Sequence, residues 1–221
     1  MTASTALAEY HLSELRIAQD PSAPGHLLPP IPRSCRAVLD VGCGAGQTLI
    51  ASDLPDSVFA CGVDPQVDAL ALGRTLTDRV QFIASMGETL PFASGTFDFV
   101  LSRVALPYTH VPTAAEEMAR VLAPGGRLWL TLHPVSMAMS SLRKALTAGS
   151  ARRTIFALYV LTNALLLHLF RRQVAFPIGR RRYESVQTDR GMTLALRAAG
   201  LTDITITRNR FYIVSAIKPA A

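Results

Sequence analysis

Apolar positions along the chain recur with two periods that alternate. Leu7, Tyr10, His11, Leu15 and Ala18 stand at helical spacing and predict an amphipathic helix over residues 6–19. Pro21, Pro24, Pro29, Pro30 and Pro32 then form a stiff connector that can be neither helix nor central strand. Short apolar runs at 37–41, 58–63, 80–84 and 97–102 read as strands, with helical patterns at about 45–53 and 66–76 between the first three. An amphipathic helix at 112–122 is closed by Ala-Pro-Gly-Gly (123–126), a stop signal, before a fifth strand at 127–132. A helix near 189–199, Gly200, and strands at 204–207 and 211–217 complete the pattern. Strand and helix alternating over short connections argue for an α/β fold, a parallel sheet covered on both faces.

Residues 133–188 break this rhythm. They contain an apolar run, Ile155 to Phe170, bracketed by Arg152-Arg153 and Arg171-Arg172. Sixteen residues of helix span about 24 Å, short of the roughly 30 Å hydrocarbon core of a bilayer. Tyr159, Thr162 and Asn163 share one stripe of that helix and leave a broad aliphatic face. This predicts a lid or an interfacial helix instead of a spanning one.

Charge reinforces the division. Of a formal net charge of +6, residues 143–190 hold ten basic groups against Glu184 and Asp189, or +8, which leaves −2 for all the rest. The basic character belongs to the insertion. Cys35, Cys43 and Cys61 make no C-x-x-C pair and are odd in number, so a reduced, cytoplasmic setting is expected. Met1 to Asp20 carries no basic segment followed by an apolar run, so no secretory signal is read.

The candidate chemistry starts at Val38-Leu39-Asp40-Val41-Gly42-Cys43-Gly44-Ala45-Gly46. A buried strand here turns sharply into a helix, and a turn free of side chains lets backbone N–H groups approach a ligand. Asp40 puts a carboxylate at the strand end, suited to a cation and repellent to a pyrophosphate. The position of the third glycine in a dinucleotide fingerprint is Gln47, and a P-loop's Gly-Lys-Ser/Thr is absent. Asp64-Pro65 ends the second strand, and an acid there can accept from both hydroxyls of a ribose. The bland reading of Asp64-Pro65 is a solvated turn pair.

The pattern D-x-G-x-G-x-G resembles motif I of the class I S-adenosylmethionine (SAM) methyltransferases. Three further blocks extend the likeness over roughly residues 37–135: Ser85 to Phe92 (SMGETLPF), Phe97 to Ser102 (FDFVLS) and Arg120 to Leu128 (RVLAPGGRL). Their order and spacing are most similar to the small-molecule branch that includes ubiquinone and menaquinone biosynthesis methyltransferases. The resemblance implies a Rossmann-like, seven-stranded, mostly parallel sheet with helices on both faces, here with a helical lid insertion. It implies SAM as cofactor, with Gly42 and Gly44 facing the methionine end, Asp40 holding the ammonium, directly or through water, and Cys43 and Gly46 also among the cofactor-binding residues. Asp64 would hold the ribose, Met86 and Gly87 would flank the adenine and Ser102 would lie near the sulfonium, with Pro65 and Glu88 also among the cofactor-binding residues. Met86 departs from the family's usual Asp; it can stack on adenine but accepts a hydrogen bond poorly, and Glu88 is the nearest substitute.

Methyl transfer from a sulfonium asks the protein to position an acceptor and exclude water, and an oxygen acceptor asks for a base as well. His133, just after the fifth strand, is the candidate base; its alternative is a ring bonded to neighbouring backbone. Tyr108 and His110, after the fourth strand, are further acceptor-side candidates. The aliphatic insertion fits a hydrophobic acceptor such as a lipid, a quinone or a secondary metabolite, and its flanking arginines fit peripheral contact with an anionic membrane. A buried helix or a dimer contact explains the same pattern. Arg180-Arg181-Arg182 could neutralise phosphates, yet aromatic interleaving is sparse and no Asn/Asp-Pro-Pro-Tyr/Phe motif follows the fourth strand, so nucleic acid is disfavoured. No metal is expected, and a SAM-binding protein without chemistry is the alternative function. One domain is expected over 1–221: a helix and connector (1–34), a SAM-binding core (35–135), a basic aliphatic lid (136–188) and closing elements (189–221).

Overall fold

The computed structural model describes residues 3–177 and 182–220. Seven strands form one sheet: β1 (Ala37–Val41), β2 (Phe59–Asp64), β3 (Val80–Ala84), β4 (Phe97–Arg103), β5 (Leu122–Leu132), β6 (Thr202–Arg208) and β7 (Tyr212–Ile217). Their spatial order is β3-β2-β1-β4-β5-β7-β6, with β7 antiparallel to both neighbours and the rest parallel. The helices are α1 (Ala3–Gln19), α2 (Gln47–Ala51), α3 (Val67–Leu76), α4 (Val111–Val121), α5 (Val135–Thr147), α6 (Ala151–Phe170) and α7 (Asp189–Ala198).

The two-residue period of β1 sorts its side chains between two cores. Leu39 and Val41 join Val100, Met118, Leu130 and Leu196 on one face of the sheet, whereas Val38 joins Leu70, Phe82, Phe99 and Trp129 on the other. Strand order reverses at β1, which has β2 on one side and β4 on the other. The carboxyl ends of β1 and β4 therefore border the crevice where open α/β sheets take ligands.

Two predicted boundaries move. Ala-Pro-Gly-Gly does not separate helix from strand; α4 ends at Val121 and β5 begins at Leu122. The ladder pairs Phe97 with Leu122 and Phe99 with Arg127, so the intervening residues bulge outward within the strand. Gly125, at φ +78°, has open space around it and makes the turn. Lys218 Nζ, at the end of the chain's last strand, donates to the carbonyls of Ala119 and Leu122 at 2.8 and 2.7 Å and so closes α4 from afar. The predicted second helix is also shorter, reduced to 47–51 because the glycine turn uses the residues before it.

The insertion contains an element that the hydrophobic pattern did not announce. α5 buries only Ala138 and Ala145, side chains too small to mark a periodic stripe. α6 is longer than the apolar run, twenty residues, and by length and composition alone could cross a membrane. Its inward face instead packs on the protein through Ala157, Val160, Asn163, Ala164 and Leu167. Asn163 donates to Val174 O and Glu184 O and accepts from Val174 N; Tyr159 Oη donates to Val174 O and Arg182 O. Two members of the polar stripe thus tie the following segments to the helix. Arg180 and Arg181 of the Arg180-Arg181-Arg182 run lie outside the described residues.

Candidate functional site

Asp40 lies at the end of β1, 1 % exposed, and its Oδ1 has no hydrogen-bond partner. Burial, and then the nearby Asp64 carboxylate, raise its pKa to about 7, against a smaller opposing pull from Arg103. A lone carboxyl in such a place is neutral or needs a cation. Arg103 itself is held by Glu14 of α1 at 3.5 Å.

The glycine turn differs from its prediction in one physical respect. Its N–H groups do not await a ligand. Gly42 N and Cys43 N both donate to Val63 O, at 2.8 and 3.0 Å, and Gly44 N donates to Asp64 Oδ2 at 2.9 Å. The glycines supply space instead. A Cβ on Gly42, at φ +80°, would stand 2.0 Å from Ala105 Cβ; on Gly44 it would stand 2.8 Å from the His11 ring, and on Gly46 2.7 Å from the Phe82 ring. Cys43 contributes backbone to the turn while its sulfur packs in the core, where burial pushes the thiol well above its usual range.

Asp64 is nearly buried, and each oxygen already takes one backbone N–H, Oδ2 from Gly44 and Oδ1 from Gln66, the residue after Pro65. A carboxylate oxygen has a second lone pair for a further donor. The same acid that was predicted to meet a ribose therefore also anchors the turn. Met86 is exposed, and Gly87 lies against Val41, where a Cβ would be 3.2 Å from Cγ1. Glu88 has a structural task of its own: Oε1 accepts from His110 N at the start of α4, at 2.8 Å, while Oε2 is buried without a partner. Ser102 is fully buried near the end of β4, its hydroxyl also without a partner.

The motif blocks that stand apart in sequence touch in space. Arg120 of the third block donates to Leu90 O and Phe92 O of the first, at 2.9 and 2.7 Å. Glu117 accepts from both Arg120 and Leu90 N. This grip holds the segment that carries Met86, Gly87 and Glu88 against α4.

Tyr108 and His133 come together, ring centroids 5.9 Å apart and edge to face. The His133 backbone carbonyl, not its ring, takes the neighbouring bond, from Gln187 N. Burial lowers the imidazole's pKa, so at neutral pH the ring is an uncharged proton acceptor. Both residues line a cleft of about 1440 Å³ between α5 and α6, with Met137, Phe156, Val160 and Phe176 among its apolar walls. His110 is separated from them. It bonds Thr113 Oγ1 through Nδ1 and lines a second, smaller cavity with Gln173 and Arg171.

Two groups escaped sequence reasoning. His11 of α1 reaches over the turn, buried, with Nδ1 2.7 Å from Gln47 Nε2 and its Nε2 unpartnered. The signal was a histidine within the apolar stripe of α1. Glu184 is the one acid among the residues lining the cleft, and burial raises its pKa. It lies far from every motif, so nothing local marks it. The Asp40 Oδ1, the His11 Nε2 and the Ser102 hydroxyl are each buried without a hydrogen-bond partner, and an unpartnered buried carboxyl such as Asp40 suits an ammonium group. Among the described residues no group of three or more His, Cys, Asp or Glu side chains could hold a metal.

Comparison with known proteins agrees with the fold. Residues 39–130 match the family described as methyltransferase domain. The chain is 34 % identical over 145 residues to a malonyl-[acyl-carrier protein] O-methyltransferase of Herminiimonas arsenicoxydans, covering 60 % of this chain and 54 % of that protein. It is 32 % identical over 110 residues to a ubiquinone/menaquinone biosynthesis C-methyltransferase of Pseudomonas putida, covering 43 % of this chain and 41 % of that one. A solved SAM-dependent methyltransferase of Methanosarcina mazei superposes with a TM-score of 0.57 at 18 % identity, over 86 % of this chain and 95 % of that one. The chain spans about half the length of the curated relatives it matches.

Proposed function

We propose that this chain, whose residues 39–130 match a methyltransferase-domain family, transfers a methyl group from SAM to a small hydrophobic acceptor held in the cleft between α5 and α6. The observation that carries the reading is a juxtaposition: the unpartnered Asp40 carboxyl ends β1, and Tyr108 and His133 follow β4 and β5 at the same edge of the sheet. SAM, when bound, supplies a methyl group on an electrophilic sulfonium. Asp40 neutralises the ammonium, Asp64 accepts from the ribose, and Met86 and Gly87 border the adenine, with Ser102 toward the sulfonium. α1, pinned through His11 and Glu14, packs over the glycine turn, which supports its keeping water from the cofactor. His133 accepts the acceptor's proton where the nucleophile is oxygen, and α5 and α6 form the lid.

The outer face of α6 extends the reading to a surface. Ile155, Leu158, Leu165, Leu169 and Phe170 are 44–63 % exposed between Arg152-Arg153 and Arg171-Arg172. Pairing two copies of α6 in either direction sets arginine pairs against each other, whereas an anionic bilayer can meet Arg152-Arg153 at one end and Arg172 at the other, Arg171 being paired with Glu116. The stripe is assigned to such a surface, which would give the enzyme direct access to lipid-dissolved acceptors.

Methyl-labelled SAM, purified protein and a cell extract test the transfer. Label entering the organic phase, and lost with Asp40→Asn, supports the proposal. Tight SAM binding with no label in either phase would overturn it in favour of a non-catalytic SAM-binding protein.

A further inference from the structure

We infer that the molecule taken by the α5–α6 cleft carries an anionic group, a carboxylate or a phosphate, on its apolar body, and that Arg182 fixes that anion. The inference rests on the preceding reading that this cleft holds the acceptor. Its walls are apolar, but Lys144, Arg152, Arg153 and Arg182 line it too, against the single acid Glu184. Among the described residues none of these four cations has a carboxylate within 4 Å, whereas Arg103, Arg120, Arg171 and Arg208 are each paired. No Asp or Glu occurs in the sequence between Glu117 and Glu184, so Lys144, Arg152 and Arg153 have no acid near them in sequence, and Arg182 has only Glu184.

Local electrostatics oppose this arrangement. Arg152 and Arg153 occupy the first turn of α6, the end of a helix that disfavours positive charge. Arg182 is the best-placed receptor. Its guanidinium stands 4.7 Å over the Phe156 ring and 5.9 Å from the Phe176 ring, both in the cleft wall. A guanidinium held by its face keeps its N–H edge for the two oxygens of a planar carboxylate or a phosphate. Glu184 stands near enough to feel the Arg182 charge but does not pair with it within 4 Å, which leaves the guanidinium edge open. The apolar walls lie beside the same guanidinium, so body and charge are recognised together.

Titration calorimetry with decanoate, decyl phosphate, decanol and inorganic phosphate, all below micellar concentrations, tests this. Decanoate and decyl phosphate should bind about tenfold or more tightly than decanol, the scale of one charge-assisted contact, and inorganic phosphate should bind far more weakly than decyl phosphate. Arg182→Gln should remove the preference, weakening decanoate and decyl phosphate about tenfold more than decanol. Arg153→Gln, at an exposed position, should reduce it and guards against a folding defect in the first variant. Decanol binding as tightly as decanoate, or a preference that survives both variants, overturns the inference. SAM affinity on the same samples separates the two claims. SAM binding without an anion preference sinks the inference alone; an anion preference without SAM binding sinks the methyl-transfer reading and leaves the anion site standing.

Discussion

Asp40→Asn is the most informative change to make. In the unliganded protein, burial and Asp64 raise the Asp40 pKa from 3.8 to about 7. An ammonium seated against it requires the ionised form. At pH 5 binding must first remove a proton two units below that pKa, a cost of about 2.7 kcal/mol or roughly a hundredfold in Kd. The wild-type Kd for SAM should therefore improve about tenfold per pH unit from 5 to 7, then level off until the ligand's own amine deprotonates near 8. Calorimetry in two buffers of different ionisation enthalpy should count about one proton released per SAM at pH 5.5–6. Asp40→Asn should release none, show a flat profile, and bind about 1.5–3 kcal/mol more weakly above pH 7. Stability moves the other way. The folded pKa lies above the unfolded one, so the neutral carboxyl's contribution is complete below about pH 4 and is lost as pH rises through about 7. Above pH 7 the unliganded variant should be more stable than wild type, by at most about 4 kcal/mol. A wild-type Kd that is flat between pH 5 and 7, with no proton release, would refute the placement of the ammonium on Asp40.

Three other outcomes are expected. Asp64→Ala should weaken SAM binding by about 1.5–3 kcal/mol and also lower the melting temperature, because Gly44 N loses its acceptor; a loss below a few tenths would mean that the ribose binds elsewhere. Gly42→Ala should destabilise by about 2–4 kcal/mol, from a left-handed backbone plus collision with Ala105, while Gly125→Ala, at a similar φ in open space, should cost only about 1–2, as thermal unfolding would read. The protein should float with vesicles containing anionic lipid at low salt and less so at high salt; absence of flotation in both conditions removes the membrane contact.

The central architecture was legible because it is written in local terms. The two-residue period of β1, the helical period of α4 and the glycine turn between β1 and α2 each need only neighbours in sequence to be recognised. Spacing between the blocks carried information as well, since Arg120 must reach Leu90 and Phe92 to hold them. α5 stayed hidden because alanines bury little and leave no stripe. The roles of the glycine N–H groups were misread for a related reason: Val63 O and the Asp64 carboxylate, which take them, belong to the next strand.

What the sequence determined by itself was the set of elements and the chemistry at the strand ends: an acid, a glycine turn, a second acid, and a basic aliphatic insertion. Periodicity and turn chemistry are short-range, so they survive in one dimension. Tertiary structure alone decided which of those groups meet. It brought His11 over Gly44, set Asp40 in a place where its charge is costly, joined Tyr108 to His133, and sent His110 to another cavity. It also turned the insertion's arginines and aromatics into the walls of one cleft. Desolvation and proximity arise from segments remote in sequence packing together, and they set the pKa values and the shape on which the proposed chemistry depends.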